Sequence, residues 1–320
     1  MSSLHVIFGA GQVGASLARL LHRRGERVRV VRRSDKPVGE GIPVVSADAR
    51  DPAQAIEAAA GASVVYHCMN PSAYTGAAWA DELPRLGDAV IAAAQSAGAR
   101  LVCLDNLYGY GPTDSPRTPQ SPMAAEGAKG RVRAAWDARL REAGEGGLRW
   151  TAGRAGDFFG PGAGGQSVFS QDMVRGLGGG RPALLLGDPQ QPHAFSFVPD
   201  VVAGLAALGR AADDVEGQAW HLPVHTVAPR VLVGRLAAAQ GRRGWAVTLS
   251  AGWLRVLGWG LSLFRELQET LYQWDRPFLV DDQPFRARFP GVGVSLDEAV
   301  SASVADATGP TPIAAQAAAV

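Results

Sequence analysis

Apolar runs and helix-spaced apolar positions alternate through the first hundred residues. LHVIFGA (4–10) reads as a short apolar strand, and GQVGASLARLLHRRG (11–25) places Val13, Leu17, Leu20 and Leu21 on one helix face before Gly25 stops it. RVRVVRR (27–33) and IPVVSAD (42–48) are a second and third strand. DPAQAIEAAAG (51–61) opens with Asp-Pro, a cap followed by a first-turn proline. SVVYHCM (63–69) is a fourth strand, WADELPRLGDAVIAAAQSAG (79–98) a helix in which Pro84 marks a kink or the true start, and ARLVCLD (99–105) a fifth strand. The strands are continuously apolar, as expected where helices cover both faces of a sheet. Strand–helix alternation with short links predicts an α/β fold with a parallel, right-handed, doubly wound sheet.

The texture changes after residue 112. TDSPRTPQSP (113–122) is a loop, a helix follows over about 124–144, and LRWTAGRAG (148–156) is a strand. Residues 157–193 are rich in Gly and Pro around SVFSQDMVRGL, a helix, and HAFSFVPDVVAGLAALGRA (193–211) is a short strand running into a helix. The expected organisation is a nucleotide-binding core over 1–160, continued by 193–225. A smaller C-terminal substrate lobe takes 161–192 and 226–300, and 301–320 forms a helix end and a frayed tail.

Composition narrows the function classes. A net charge of +1 on 320 residues offers no clustered basic face for nucleic acid. Cys68 and Cys103 sit in apolar runs, as buried thiols of a cytoplasmic protein do. The N-terminal segment lacks the basic start of a signal peptide. The longest apolar stretch, 249–264, carries Arg255 and is shorter than the roughly 20 residues a membrane span needs, so a buried or pocket-lining helix is expected there and no membrane partner.

FGAGQVG supplies Gly9, Gly11 and Gly14 between the first strand and first helix. The first glycine permits the tight turn, the second admits a pyrophosphate to the backbone, and the third lets helix and strand pack closely. Free N–H groups at the helix start, those of Gln12 and Val13 included, favour an anion. The second strand ends in Arg32 and Arg33 rather than a carboxylate, which suits the 2′-phosphate of NADP over the ribose diol of NAD, though NAD remains open. Asp48 is placed to accept from the adenine amino group. Ala49, Met69 and Asn70, at neighbouring strand ends, complete the expected cofactor contacts.

These pieces resemble the extended short-chain dehydrogenase/reductase family, the NAD-dependent epimerase/dehydratase group, over roughly residues 4–300. GAGQVG is similar to its phosphate loop, with Phe8 at its earliest glycine. SADARD (46–51) is similar to its adenine-contact segment and NLYGYGP (106–112) to its V-Y-G turn. GRAGDFFGPG (153–162) and HAFSFVPDVV (193–202) are similar to its R-x-x-N-x-Y-G-P and F-x-x-V-x-D segments. The resemblance implies a Rossmann-like core, a dinucleotide cofactor, a small-molecule substrate and a homodimer pairing helices 79–98 and 124–144. Two departures stand out. Leu104 and Asn106 occupy positions where the family has a Ser or Thr, and Ala125 stands where its Y-x-x-x-K tyrosine would be, four residues before Lys129.

Lys36 and Lys129 are the only lysines among 31 Lys and Arg residues, so Lys129 reads as a position needing a compact ammonium, expected at the cofactor ribose. Asn106 as a donor to a substrate carbonyl, and Tyr108 or Tyr74 as a proton donor, are the expected replacements. Each has a bland counterpart: Asp105 and Asn106 satisfying turn backbone, Tyr108 packing, Tyr110 on the surface. His221 and His225 lack the helix and the acid of a metal site, and His193 is expected near the pocket. Two functions follow: an NAD(P)-dependent oxidoreductase or epimerase-like enzyme acting on a small hydroxyl or carbonyl compound, ranked first, and a non-catalytic NADP-binding redox sensor or scaffold.

Overall fold

The computed structural model describes residues 3–250, 252–254 and 262–309. Seven parallel strands form the main sheet: β1 (Leu4–Phe8), β2 (Arg27–Arg32), β3 (Val44–Ser46), β4 (Val64–His67), β5 (Arg100–Asp105), β6 (Trp150–Arg154) and β10 (Gln218–His221). Their order is β10-β6-β5-β4-β1-β2-β3, the doubly wound arrangement expected. β1 is buried at every position because helices cover both faces. On one face α2 (Pro52–Ala59), α3 (Gly76–Ala97) and α4 (Ala128–Glu145) pack through Ala58, Val90, Trp136 and Leu140. On the other, α1 (Gln12–Arg23) and α6 (Val198–Arg210) pack through Leu17, Leu21, Val201 and Leu205.

The helix expected at 79–98 begins earlier. Thr75 Oγ1 accepts the Ala78 N–H at 3.2 Å, and the helix runs through Pro84. Pro84 removes the donor for the Ala80 carbonyl, but Ala80 is exposed and water can serve instead. Conversely, α4 starts at Ala128, four residues after the expected start.

The lobe has its own core around Phe159, Phe169, Phe195, Phe197, Leu232 and Leu236. β7 (Asp157–Phe159), β9 (His193–Phe197) and β11 (His225–Val227) make a three-stranded sheet, and β8 (Ala183–Leu186) pairs with β12 (Ala246–Leu249). The glycine-rich segment after residue 157 thus contains two short strands, β7 and β8, that its composition concealed. α5 (Gln171–Gly178), α7 (Pro229–Ala238), α8 (Ser262–Gln268), α9 (Gln283–Arg288) and α10 (Leu296–Thr308) complete the described chain. The tail from residue 310 and most of the helix expected at 249–264 lie outside the described residues. Among the described residues no helix is long and apolar enough to cross a membrane.

Candidate active site

Strand order reverses between β1 and β4, so the loops leaving their carboxyl ends diverge and open a crevice, the usual ligand position in such sheets. A cleft of about 1650 Å³ runs from there across the end of β5 to the lobe. This volume exceeds that of ordinary small-molecule pockets and leaves room for a dinucleotide beside a second molecule.

At the first turn Gly9 adopts φ +97°, and an added Cβ would lie 2.8 Å from the Cys68 carbonyl oxygen. A Cβ on Gly14 would lie 1.9 Å from the Gly9 carbonyl oxygen, so helix and turn meet there without space for a side chain. Gly11 is different: its Cβ would meet nothing within 4 Å, opening instead on the cleft. α1 has neither a side-chain cap nor an acidic residue in its first turn. Free amides facing open space fit the pyrophosphate of a dinucleotide. Gly9, Gly11, Gln12 and Val13 line the cleft, whereas Gly14 supports the turn from behind.

Arg32 and Arg33 also line the cleft, with the Arg32 guanidinium donating to the Lys36 carbonyl at 3.2 Å. Asp48 is already engaged: Arg50 Nε and Nη2 donate to its two oxygens at 2.9 and 2.6 Å. These bonds lower the Asp48 pKa to about 2. Asp48 is therefore a partnered carboxylate that still lines the cleft, and Arg50 becomes a third guanidinium at this end. Its place two residues after Asp48 was the available sequence signal. Ala49, Met69 and Asn70 line the cleft as expected.

The end of β5 is a buried charge network. Asp105 and Arg154 are register partners on adjacent strands. Asp105 receives Arg133 at 3.1 Å and Arg154 at 3.4 Å. Arg154 also donates to Tyr110 Oη at 2.5 Å and pairs with Asp137. Tyr110, for which the surface was one expectation, is instead buried, and its hydroxyl bonds His221 Nε2 at 2.7 Å. Burial, against the pull of Arg154, raises the Tyr110 phenol to about 12, and burial lowers His221 to about 3. Asn106 Oδ1 accepts the Tyr108 N–H at 3.0 Å, so its amide NH₂ is what it can offer the cleft.

Lys129, expected at the cofactor ribose, is engaged by protein partners. It is fully buried, does not line the cleft, and its ammonium pairs with Glu266 and, at 3.3 Å, Glu269. Both acids come from α8 and its end, some 140 residues away in sequence, which is why no local pattern foretold the pairing. Glu266 also accepts the Gly76 N–H at 3.0 Å, and Glu269 the Lys129 N–H at 2.5 Å. Each carboxylate thus caps the start of a core helix, where an anion is favoured. The cation facing the cleft is Arg133, one helical turn beyond Lys129. It donates to Asn70 Oδ1 at 2.6 Å and lies 4.9 Å from the Trp79 ring centre.

Tyr74 and Tyr108 both line the cleft, and Tyr74 donates its hydroxyl proton to Tyr108 at 3.2 Å. Trp79 stacks on Tyr108 with ring centres 5.7 Å apart. Burial pushes both phenols upward, Tyr108 strongly. Lys129 sits 4.6 Å from the Tyr74 ring centre, but its charge is already matched by two glutamates. The two phenols therefore remain protonated donors at neutral pH.

Sequence reasoning missed a further group in the cleft. Asp157, in the position of the Asn of the R-x-x-N-x-Y-G-P segment, lines the cleft, and its Oδ2 lies 2.8 Å from His193 Nε2. His193 is buried, and its Nδ1 lies 2.9 Å from the Gln273 carbonyl oxygen. Beyond Asp157 the lobe presents an apolar wall that includes Leu184, Leu186, Leu249, Phe264 and Leu267. Among the described residues no cluster of His, Cys, Asp and Glu could hold a metal ion.

The chain matches the sequence profile of the NAD dependent epimerase/dehydratase family over residues 6–222. It belongs to that family. No curated protein sequence matches it. Among solved structures it is similar to a UDP-glucuronic acid 4-epimerase from Bacillus cereus in complex with NAD. Identity is 12%, the alignment covers 95% of this chain and 98% of the other, and the TM-score is 0.76. A dTDP-glucose 4,6-dehydratase from Streptomyces venezuelae with NAD is 18% identical, over 94% and 95%, with a TM-score of 0.75. A Thermus thermophilus UDP-glucose 4-epimerase complex with NAD is 19% identical, over 96% and 99%, with a TM-score of 0.73. At these identities the likeness is one of fold. This member of the NAD dependent epimerase/dehydratase family carries Leu104 within β5 and Ala125 four residues before Lys129.

Proposed function

We propose that this protein is an NADP-dependent oxidoreductase or epimerase-type enzyme acting on a small, uncharged and largely apolar hydroxyl or carbonyl compound. The observation that carries this reading is one continuous cleft. It begins at free helix-start amides before Gly11, passes the polar end of β5, and ends on an apolar lobe wall. The amides of the first turn would hold the diphosphate, and Arg32, Arg33 and Arg50 would hold a 2′-phosphate by charge and bidentate geometry. When bound, nicotinamide supplies hydride transfer. The chain's own residues orient the reactants: Arg133 fixes Asn70 beside the cleft, and Tyr74 with Tyr108 offers hydroxyl donors to a substrate oxygen.

The lobe argues against a nucleotide sugar. A diphosphate needs cations, yet among the described residues the lobe wall contributes one basic side chain to the cleft, Arg181, beside the acids Asp157 and Asp172. The single guanidinium, with Asp172 opposing it, leaves a diphosphate short of counter-charge. A second reading, a non-catalytic NADP-binding sensor, draws support from Leu104 and Ala125, which leave the family's usual hydroxyls out of the cleft.

Titration with NADPH and NADH, followed by an NADPH-oxidation screen of apolar aldehydes and ketones against UDP-glucose, tests the reading. NADPH should bind more tightly than NADH, with Arg32→Ala/Arg33→Ala weakening NADPH by about tenfold or more, one lost charge-assisted contact being worth ~1.5–3 kcal/mol, and NADH far less. Equal loss for both would overturn the NADP assignment. Binding without turnover across the panel would favour the sensor.

A further inference from the structure

We propose that Asp157, backed by His193, is the proton-transferring group of this active site, in place of the tyrosine the sequence lacks; this rests on the oxidoreductase reading above. Three arrangements in the cleft lead to it. The phenols at hand are poor bases: burial raises Tyr74 and Tyr108, and the lysine that could counter this is matched by Glu266 and Glu269. A carboxylate lines the same cleft close enough for its charge to be felt by both phenols. That carboxylate is held by a buried imidazole.

The hydrogen-bond pattern fixes the proton count. The Gln273 carbonyl can only accept, so His193 Nδ1 carries a proton and donates to it across 2.9 Å. Nε2 therefore meets Asp157 Oδ2, at 2.8 Å, with one proton between them. The pair is either carboxylate with imidazolium or carboxylic acid with imidazole, and it is neutral overall. His193 cannot turn away: Trp274 stacks on it at 4.2 Å and Phe278 at 5.2 Å, and Phe195 packs at 4.6 Å. The charged or titratable groups facing the pair are Tyr74 and Tyr108 from the cleft side, while Arg117 lies against Phe278, 4.1 Å from its ring centre.

In the reducing direction a bound reduced nicotinamide would supply hydride to the carbonyl carbon, and the C=O π pair would move to oxygen. That oxygen takes the proton of the Asp157–His193 pair. A C–H and an O–H bond form, the carbonyl is reduced to an alcohol, the nicotinamide is oxidised, and the pair, now one proton short, is refilled from solvent. In the oxidising direction the pair, having lost its proton, receives that of the hydroxyl. Asp157 is the catalytic residue and His193 the positioning one.

The test compares wild type, Asp157→Asn and His193→Gln in two measurements. The first is NADPH oxidation with benzaldehyde as probe against pH, alongside NADPH affinity. Asp157→Asn installs the residue of the family's own segment, so folding should survive. It should lose about 100-fold or more in rate, the range general acid catalysis contributes, while NADPH affinity stays within threefold. His193→Gln should move the alkaline limb of the pH profile. A rate for Asp157→Asn within threefold of wild type would overturn the proposal. The second measurement is the 15N spectrum of histidine-labelled, cofactor-free protein, which reads the pair whether or not benzaldehyde reacts. The His193 Nε2 signal should carry the mark of the hydrogen bond to Asp157 in wild type and move in Asp157→Asn. A signal indifferent to the substitution would overturn the proposal. Failure of NADPH to bind wild type would instead overturn the oxidoreductase reading, leaving the shared proton to be judged by the spectrum.

Discussion

The two ends of the cleft are built from different materials. At the β1–α1 turn the work is done by backbone: glycines bring chain segments within a Cβ's width of each other and leave amides facing open space. At the end of β5 it is done by side chains. Two guanidiniums bracket Asp105, Arg154 reaches Asp137, and Tyr110 hands the network on to His221. A backbone site tolerates any sequence that keeps its conformation. A side-chain site has to be built from matched partners, and changing one alters the rest.

Breaking that network should therefore have the largest effect. Arg154→Leu leaves Asp105 and Asp137 buried with fewer counter-charges and should cost about 3–5 kcal/mol in a urea titration; a loss below ~1 kcal/mol would mean the network is not the support described. Lys129→Met should cost about 1.5–3 kcal/mol by the same measurement, the worth of hydrogen bonds to a charged group, with NADPH affinity unchanged. A selective loss of NADPH binding would instead return Lys129 to the ribose.

Acid should act on the same end. Burial lowers both His67 and His221 to about 3. Between pH 6.5 and 3 the unfolded chain takes up protons at these residues and the folded chain does not, so stability is full above pH 6.5 and falls as pH drops. Each histidine contributes on the order of 1 kcal/mol per pH unit in that window. A melting temperature flat from pH 6.5 to 5 would contradict their neutral burial. The smallest effects on stability belong to the first turn, where two glycines should part company. Gly14→Ala should cost about 1–3 kcal/mol by overpacking. Gly11→Ala should leave stability within about 0.5 kcal/mol, as surface changes do, yet weaken dinucleotide binding.

The same contrast explains what could be read from the sequence. Gly9, Gly11 and Gly14 lie within six residues, and β-α-β alternation is a local pattern, so the doubly wound parallel sheet and the glycine turn were legible. Asp157 and His193 meet across 36 residues, and Lys129 and Glu266 across 137. No periodicity encodes such pairs. Rarity singled out Lys129 correctly as a special position, but rarity does not say which partner demands the ammonium. Arg133, hidden among many arginines, took the place facing the cleft. The strands β7 and β8 were hidden by glycine-rich surroundings, since strand propensity there is supplied by pairing with β9 and β12 rather than by composition.

α8 reaches down from the lobe to Lys129 and to the first amides of α3 and α4. The roof of the cleft is in this way bolted to its floor by a cation with no route to water. Lifting that helix would part a buried ammonium from both of its counter-charges, so this contact holds roof and floor together.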